Sequence, residues 1–175
     1  MASPFVIRPA IGADAEAMRA VSTQSWLDTY TNAGLGIDEA VLMQMLNPTP
    51  ERLERYRAAL DRGNSPERAA WVAVAGGEVV GLCTPYTERD GRQRLGALYV
   101  EKGWWGHGIG RALLVEAIAW HDPARPFLLE VATYNTRAIG FYERHGFVRV
   151  PGEEMHGAIP VLWMSLHHAD AHVDR

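Results

Sequence analysis

A single cysteine, Cys83, in 175 residues excludes an internal disulfide framework and fits a reducing compartment. No stretch approaches the roughly 18 uninterrupted apolar residues of a membrane span, so no membrane association is expected. The opening residues, MASPFVIRPA, lack a charged region followed by a long apolar run. No secretory signal is therefore expected, and the cytoplasm is the expected location. A net charge of −4 leaves no overall basic field to draw nucleic acid. Two common phosphate-binding signatures are also missing. Counting G-x-G-x-x-G from Gly106 or Gly108 puts Arg111 or Leu113 where the third glycine belongs, and no G-K-[ST] follows a glycine at P-loop spacing.

What remains is the composition of a folded domain: 47% hydrophobic and 22% charged residues, in a chain long enough for one real core. We expect one domain over residues 1–167 and a polar tail over 168–175. Among the 7 histidines, His168 and His172 have helical spacing but sit in that tail, and no metal site is expected.

Along the chain, Phe5 to Ile7 reads as a strand ended by Pro9, and a helix runs from about Asp14 through Trp26. Gly34 and Gly36 break the pattern from Asp28 to Leu46 into a loop and a short helix. Thr49-Pro50 is a helix start, with Leu53, Tyr56 and Leu60 on one face. Trp71 to Ala75, Gly76-Gly77 and Glu78 to Tyr86 read as a hairpin, and Asp90-Gly91 opens a second one leading to Val100. A helix then follows the glycines near 108, Phe127 to Ala132 is a strand, and Asn135 to Arg144 is a helix stopped at Gly146. Phe147 to Val150 and Ile159 to Leu166 are final strands with a Pro/Gly-containing connection between them. The order is that of a mixed α/β domain.

The most informative segment is LYVEKGWWGHGIGRALL, residues 98 to 114. A strand of Leu98, Tyr99 and Val100 runs into Gly106, Gly108 and Gly110, then into an amphipathic helix. Glycines let backbone approach a ligand, and the unpaired amides opening a helix sit at the positive end of its dipole. Such a turn binds phosphate.

Here the residues resemble the GNAT superfamily of N-acetyltransferases. The superfamily's acetyl-CoA motif, [QR]-x-x-G-x-[GA] after an L-x-V strand, matches at Leu98, Val100, Trp105, Gly106, His107, Gly108, Ile109 and Gly110, with Trp105 in the place of Gln or Arg. Its second motif, N-x-x-A-x-x-[FL]-Y-x-x-x-G-F, matches at Asn135, Ala138, Phe141, Tyr142, Gly146 and Phe147. The likeness is strong from about Trp71 to Phe147 and looser in the N-terminal third.

The resemblance implies a central mixed, mostly antiparallel sheet of six or seven strands, flanked by helices and splayed between the fourth and fifth. It implies acetyl-CoA as co-substrate, its pyrophosphate held by the amides of residues 105–110 with Arg111 nearby. Arg111 can equally be an exposed first-turn arginine, and Trp104 and Trp105 a hydrophobic cover on the loop. A bulged strand around Leu98, Tyr99 and Val100 would turn a free amide toward the thioester carbonyl and pair with the pantetheine arm.

Acetyl transfer to an amine needs a neutral amine, and at neutral pH only about one alkyl ammonium in 10³ has lost its proton. Glu130, in the apolar run FLLEVA, is the first candidate base, because a carboxylate there must face a cleft or a partner. Its distance to Tyr142 resembles that of the base and acid of ribosomal-protein N-terminal alanine acetyltransferases. A structural pairing of Glu130 with an arginine or a helix end is the competing reading. Glu101, Glu88 and Asp90 are alternative bases. Tyr142 is the candidate donor to the departing sulfur, with buried packing as its alternative. Asn135, two helical turns before it, faces the cofactor, caps the helix, or does both.

The substrate-facing wall is expected from the first helical region near Trp26 and Tyr30 with the following loop, and from the last hairpin around Met155 to Pro160; Trp26 and Tyr30 either stack over an acceptor or pack the helix. The acceptor is expected to be a small-molecule amine or a peptide N-terminus, attacked directly in a ternary complex. A non-catalytic acyl-CoA-binding module is the alternative function, and sheet extension could build a homodimer.

Overall fold

The computed structural model describes residues 4–47 and 49–167; the expected tail, with His168 and His172, lies outside them. The described elements are β1 (Val6–Pro9), α1 (Ala15–Tyr30), α2 (Glu39–Leu46), α3 (Pro50–Asp61), β2 (Trp71–Ala75), β3 (Glu78–Thr87), β4 (Gln93–Val100), α4 (Ile109–Trp120), β5 (Phe127–Ala132), α5 (Thr136–Arg144), β6 (Val148–His156) and β7 (Ile159–Leu166). The strands form one sheet in the order β1-β2-β3-β4-β5-β7-β6. Every neighbouring pair is antiparallel except β4–β5.

Both faces of the central strands are covered, which is why β2 reads as a continuous apolar run rather than an alternation. Trp71, Ala73 and Ala75 face one core with Ile109, Leu113, Leu114 and Ala117 of α4 and Ile139 and Tyr142 of α5. Ala70 and Val72 face the other, with Ala15, Met18 and Val21 of α1 and Leu53 and Leu60 of α3. A smaller cluster joins Leu42 of α2 to Ala132, Ile159 and Val161.

Three boundaries differ from the sequence reading. Helix α1 continues past Trp26 to Tyr30. Strand β1 includes Pro9, paired with Trp71, which an edge strand tolerates because the missing donor would face away from the sheet. Pro151 and Gly152 do not separate two strands either. They form an irregularity between Arg149 and Glu153 inside one long edge strand, β6, with Gly152 at φ +106°. The turn to β7 comes later, at Gly157.

Two features position the site. Strands β4 and β5 pair only at Gln93–Phe127 and Arg94–Leu128, then diverge. Beyond that point they are unpaired, which opens a wedge in the middle of the sheet. Opposite, the β3–β4 register slips between Thr84–Ala97 and Pro85–Leu95, leaving Gly96 as the extra residue of a bulge on β4. A side chain at position 96 would meet the Tyr86 ring at 2.8 Å and the Thr84 carbonyl at 3.0 Å.

Candidate active site

The wedge between β4 and β5 is a cleft of about 570 Å³. The free edge of β4 from Leu95 to Val100 forms one wall, and Glu130 and Val131 of β5 face it. The glycine turn and α5 complete the cleft on one side, and Ser25, Asp28 and Tyr30 of α1 on another. Beyond Arg94, the β4 edge toward β5 has no strand partner, so its peptide groups are available to a ligand lying in the wedge.

The turn that enters α4 is shaped for close approach. Gly106 and Gly108 have φ of +82° and +84°, where a side chain is strained. Gly108 caps α4 without a side chain, leaving the first-turn amides unpaired by a cap. Gly110 is different: it is helical, and an added Cβ would make only ordinary contact with Phe141 and Val100. The Trp105 indole N–H donates to the Val100 carbonyl at 2.8 Å, tying the turn back to β4. The Arg137 guanidinium lies 3.4 Å from the centre of the Trp105 ring. Trp105 is thus part of the scaffold of the turn as well as its lining, and Arg111 also lines the cleft. His107 does not line it; it is exposed, with Nδ1 3.1 Å from the Trp105 carbonyl oxygen.

Helix α5 explains the spacing of the second motif. The Asn135 side chain accepts from the Ala138 amide at 3.1 Å, capping the helix. At the other end Gly146, at φ +88°, donates to the Glu143 carbonyl and Phe147 donates to that of Tyr142 at 3.1 Å. That is a Schellman closure, and the Phe147 ring completes it by packing 5.6 Å from the Tyr142 ring. The helix end therefore fixes Tyr142, which is 8% exposed and lines the cleft. Burial pushes its phenol well above the ordinary tyrosine range, so it stays protonated and able to donate.

On the α1 side of the cleft, the Trp26 indole N–H donates to the Tyr99 hydroxyl at 2.9 Å, and the Tyr134 hydroxyl donates to the Tyr30 carbonyl at 2.9 Å. Tyr30 and Tyr99 line the cleft; Trp26 stands behind them, edge-on to Tyr30 at 5.1 Å. Burial raises the phenols of Tyr30 and Tyr99, so neither ionises near neutrality.

Glu130 lines the cleft and is also paired. One oxygen accepts from Arg94 Nη2 and the other is 2.9 Å from His156 Nδ1. Arg94 in turn donates to Glu88 at 2.8 Å and lies over the Trp163 ring at 4.3 Å. Glu88 and Asp90 are held by Arg92 and Arg94 at the β3–β4 turn and, like Glu101, do not line the cleft. Cys83 is fully buried outside it, with its thiol pushed up by burial.

Sequence reasoning missed Arg94 and Arg137, and reached His156 only as part of the hairpin segment Met155 to Pro160, without naming it. Arg137 sits two residues after Asn135 on the motif helix and was findable there. Arg94 carries no local signal, and the pairing of both Arg94 and His156 with Glu130 comes from the strand order alone. Among the described residues, no three His, Cys, Asp or Glu side chains are grouped to hold a metal ion, and no helix is long and apolar enough to cross a membrane.

Comparison with known proteins agrees with this geometry. Residues 38–147 match the model of the acetyltransferase (GNAT) family. A Mycobacterium tuberculosis protein named as an N-acetyltransferase is 32% identical over 144 residues, covering 81% of this chain and 78% of its own. The PaiA N-acetyltransferase of Thermoplasma acidophilum, solved with coenzyme A, superposes with a TM-score of 0.72 at 21% identity, over 95% of this chain and 99% of that one. A GNAT acetyltransferase of Streptococcus pneumoniae gives 0.68 at 25% identity, over 92% and 97%. With well over half of its length matched by the family model, the chain belongs to the GNAT family of acetyltransferases.

Proposed function

We propose that this protein moves an acetyl group from acetyl-CoA to a primary amine by direct attack in a ternary complex. The observation that carries the reading is the juxtaposition in one cleft of an unpaired β4 edge, a side-chain-free helix N-terminus and the buried phenol of Tyr142. The residues present fit acetyl-CoA: Gly106 and Gly108 leave open space where a Cβ would stand, and the first-turn amides of α4 suit a pyrophosphate. The thioester supplies an activated acetyl group. Leu98, Tyr99 and Val100 offer backbone along the pantetheine path, Arg111 and Arg137 offer cations beside the turn, and Asn135 orients α5.

Tyr142 then donates a hydrogen bond to the departing sulfur, which is poorly basic and readily stabilised as a thiolate. Cys83 supports direct attack, since a buried thiol outside the cleft is no acyl carrier. On the acceptor side, the carboxylates of Asp28 and Glu130 line the cleft and favour a cationic amine, from a small molecule or a peptide N-terminus.

Thiol release from acetyl-CoA across a panel of small amines and N-terminal peptides tests the proposal. Amine-dependent release with matching acetylated product supports it; acetyl-CoA binding without release from any acceptor overturns it in favour of a non-catalytic binding module.

A further inference from the structure

We propose that His156, oriented by Glu130, takes the proton from the acceptor amine; this deepens the transferase reading above and rests on it. Both oxygens of Glu130 are engaged. Oε1 accepts from Arg94, which is itself fixed by Glu88 and by the face of Trp163, and Oε2 lies 2.9 Å from His156 Nδ1. Arg94 is a permanent cation, and the Glu130 carboxylate paired with it acts as acceptor at both oxygens. The hydrogen shared by Glu130 and His156 therefore belongs to Nδ1. In the neutral ring that tautomer leaves the lone pair on Nε2.

The arrangement is the logic of an orienting carboxylate behind a histidine base, reached here from three separate strands. Both Glu130 oxygens already serve as acceptors, one of them to a permanent cation, so the lone pair of this couple that no partner holds is that on His156 Nε2. His156 stands beside the cleft rather than in its lining, joined to it through Glu130, which lines it. It ends β6 at the hairpin tip, its side chain is 54% exposed, and its ring meets Trp26 of α1 edge-on at 6.4 Å. The charged groups that face it are Glu130 from β5 and, behind that carboxylate, Arg94 from β4. Its ring contact from α1 is Trp26.

The step balances as follows. The ammonium of the acceptor gives one proton to His156 Nε2, and the resulting imidazolium is held by the Glu130 carboxylate. The freed nitrogen lone pair forms the N–C bond to the thioester carbonyl carbon, and the C–S bond breaks with its electron pair on sulfur. The sulfur, which Tyr142 hydrogen-bonds, takes one proton from water. The second nitrogen proton and the imidazolium proton pass to water. Ammonium and thioester become amide, thiol and one released proton.

The full-length protein carries the test, with the primary amine that gives the largest thiol release as acceptor. His156→Gln is expected to lower kcat at neutral pH by about 10²-fold and to abolish the acidic limb of the kcat/KM profile, while KM for acetyl-CoA stays unchanged. Free imidazole should restore activity to His156→Ala. Glu130→Gln with His156→Gln should be no worse than the more impaired single variant, as members of one unit are non-additive. A His156→Gln enzyme that keeps its acidic limb, or a loss that imidazole does not rescue, overturns the inference while leaving the transferase intact. Wild type with no amine-dependent release overturns the transferase reading, and this inference with it. Independently of any acceptor, ¹⁵N chemical shifts should report His156 protonated on Nδ1 at alkaline pH; protonation on Nε2 there refutes the orienting role.

Discussion

Replacing Tyr142 by phenylalanine removes one oxygen and leaves the ring where it is. The side chain is 8% exposed, packed against Phe141 at 5.3 Å and Phe147 at 5.6 Å, and held by the helix end that Gly146 and Phe147 close. None of those contacts uses the hydroxyl, so no cavity forms and stability should change by less than about 1 kcal/mol. Activity should respond differently. A hydrogen bond to a developing thiolate is a bond to a charged group, worth about 1.5–3 kcal/mol, which is roughly 10- to 150-fold in kcat. Because burial holds the phenol protonated, the ratio of wild type to variant should stay flat across neutral and mildly alkaline pH. Thiol release at saturating acetyl-CoA, with thermal melts in parallel, measures both quantities. A variant with an unchanged melt and wild-type kcat refutes the donor role, and a large drop in Tm refutes the claim that the hydroxyl is structurally idle.

Three further outcomes follow from the same structure. Gly108→Ala meets no neighbouring atom but must hold φ near +84°, so it should cost about 1–2 kcal/mol and raise KM for acetyl-CoA more than it lowers kcat, as steady-state kinetics would report. Phe147→Ala empties a site that is 2% exposed and should destabilise by about 3–5 kcal/mol in urea unfolding, loosening Tyr142 with it. Asp14 accepts from Arg8 at 2.7 and 2.8 Å and from the Ile11 amide at 2.9 Å, so Asp14→Ala should cost about 2 kcal/mol at neutral pH. Arg8 holds that carboxyl below its unfolded value of about 3.9. The contribution is therefore complete above that pH and lost as pH falls through the lower folded value, and the wild type and variant should converge in acid unfolding.

Much of the site was legible because its chemistry is local. The glycine turn works through backbone dihedrals and a helix N-terminus, both encoded within a few residues. The Asn135–Tyr142–Gly146–Phe147 spacing is the anatomy of a single short helix: cap, cleft-facing ring, left-handed stop and the residue that packs back on it. Where the reading of elements slipped, the environment had overridden a local signal. Pro9 and Pro151 lie within edge strands, where a missing donor costs little.

The sequence alone determined the element order, the glycine turn that enters α4 and the placing of Asn135 and Tyr142 on one face of α5, since each rests on periodicity or spacing along one segment. Only the tertiary structure decided how far β4 and β5 stay paired, that Gly96 carries the bulge, and what surrounds Glu130. Arg94, His156 and Trp163 come from three different strands, and pairing between strands far apart in the chain leaves no periodic mark on any one of them. The carboxylate could be found by its misfit in an apolar run; its partners required the sheet.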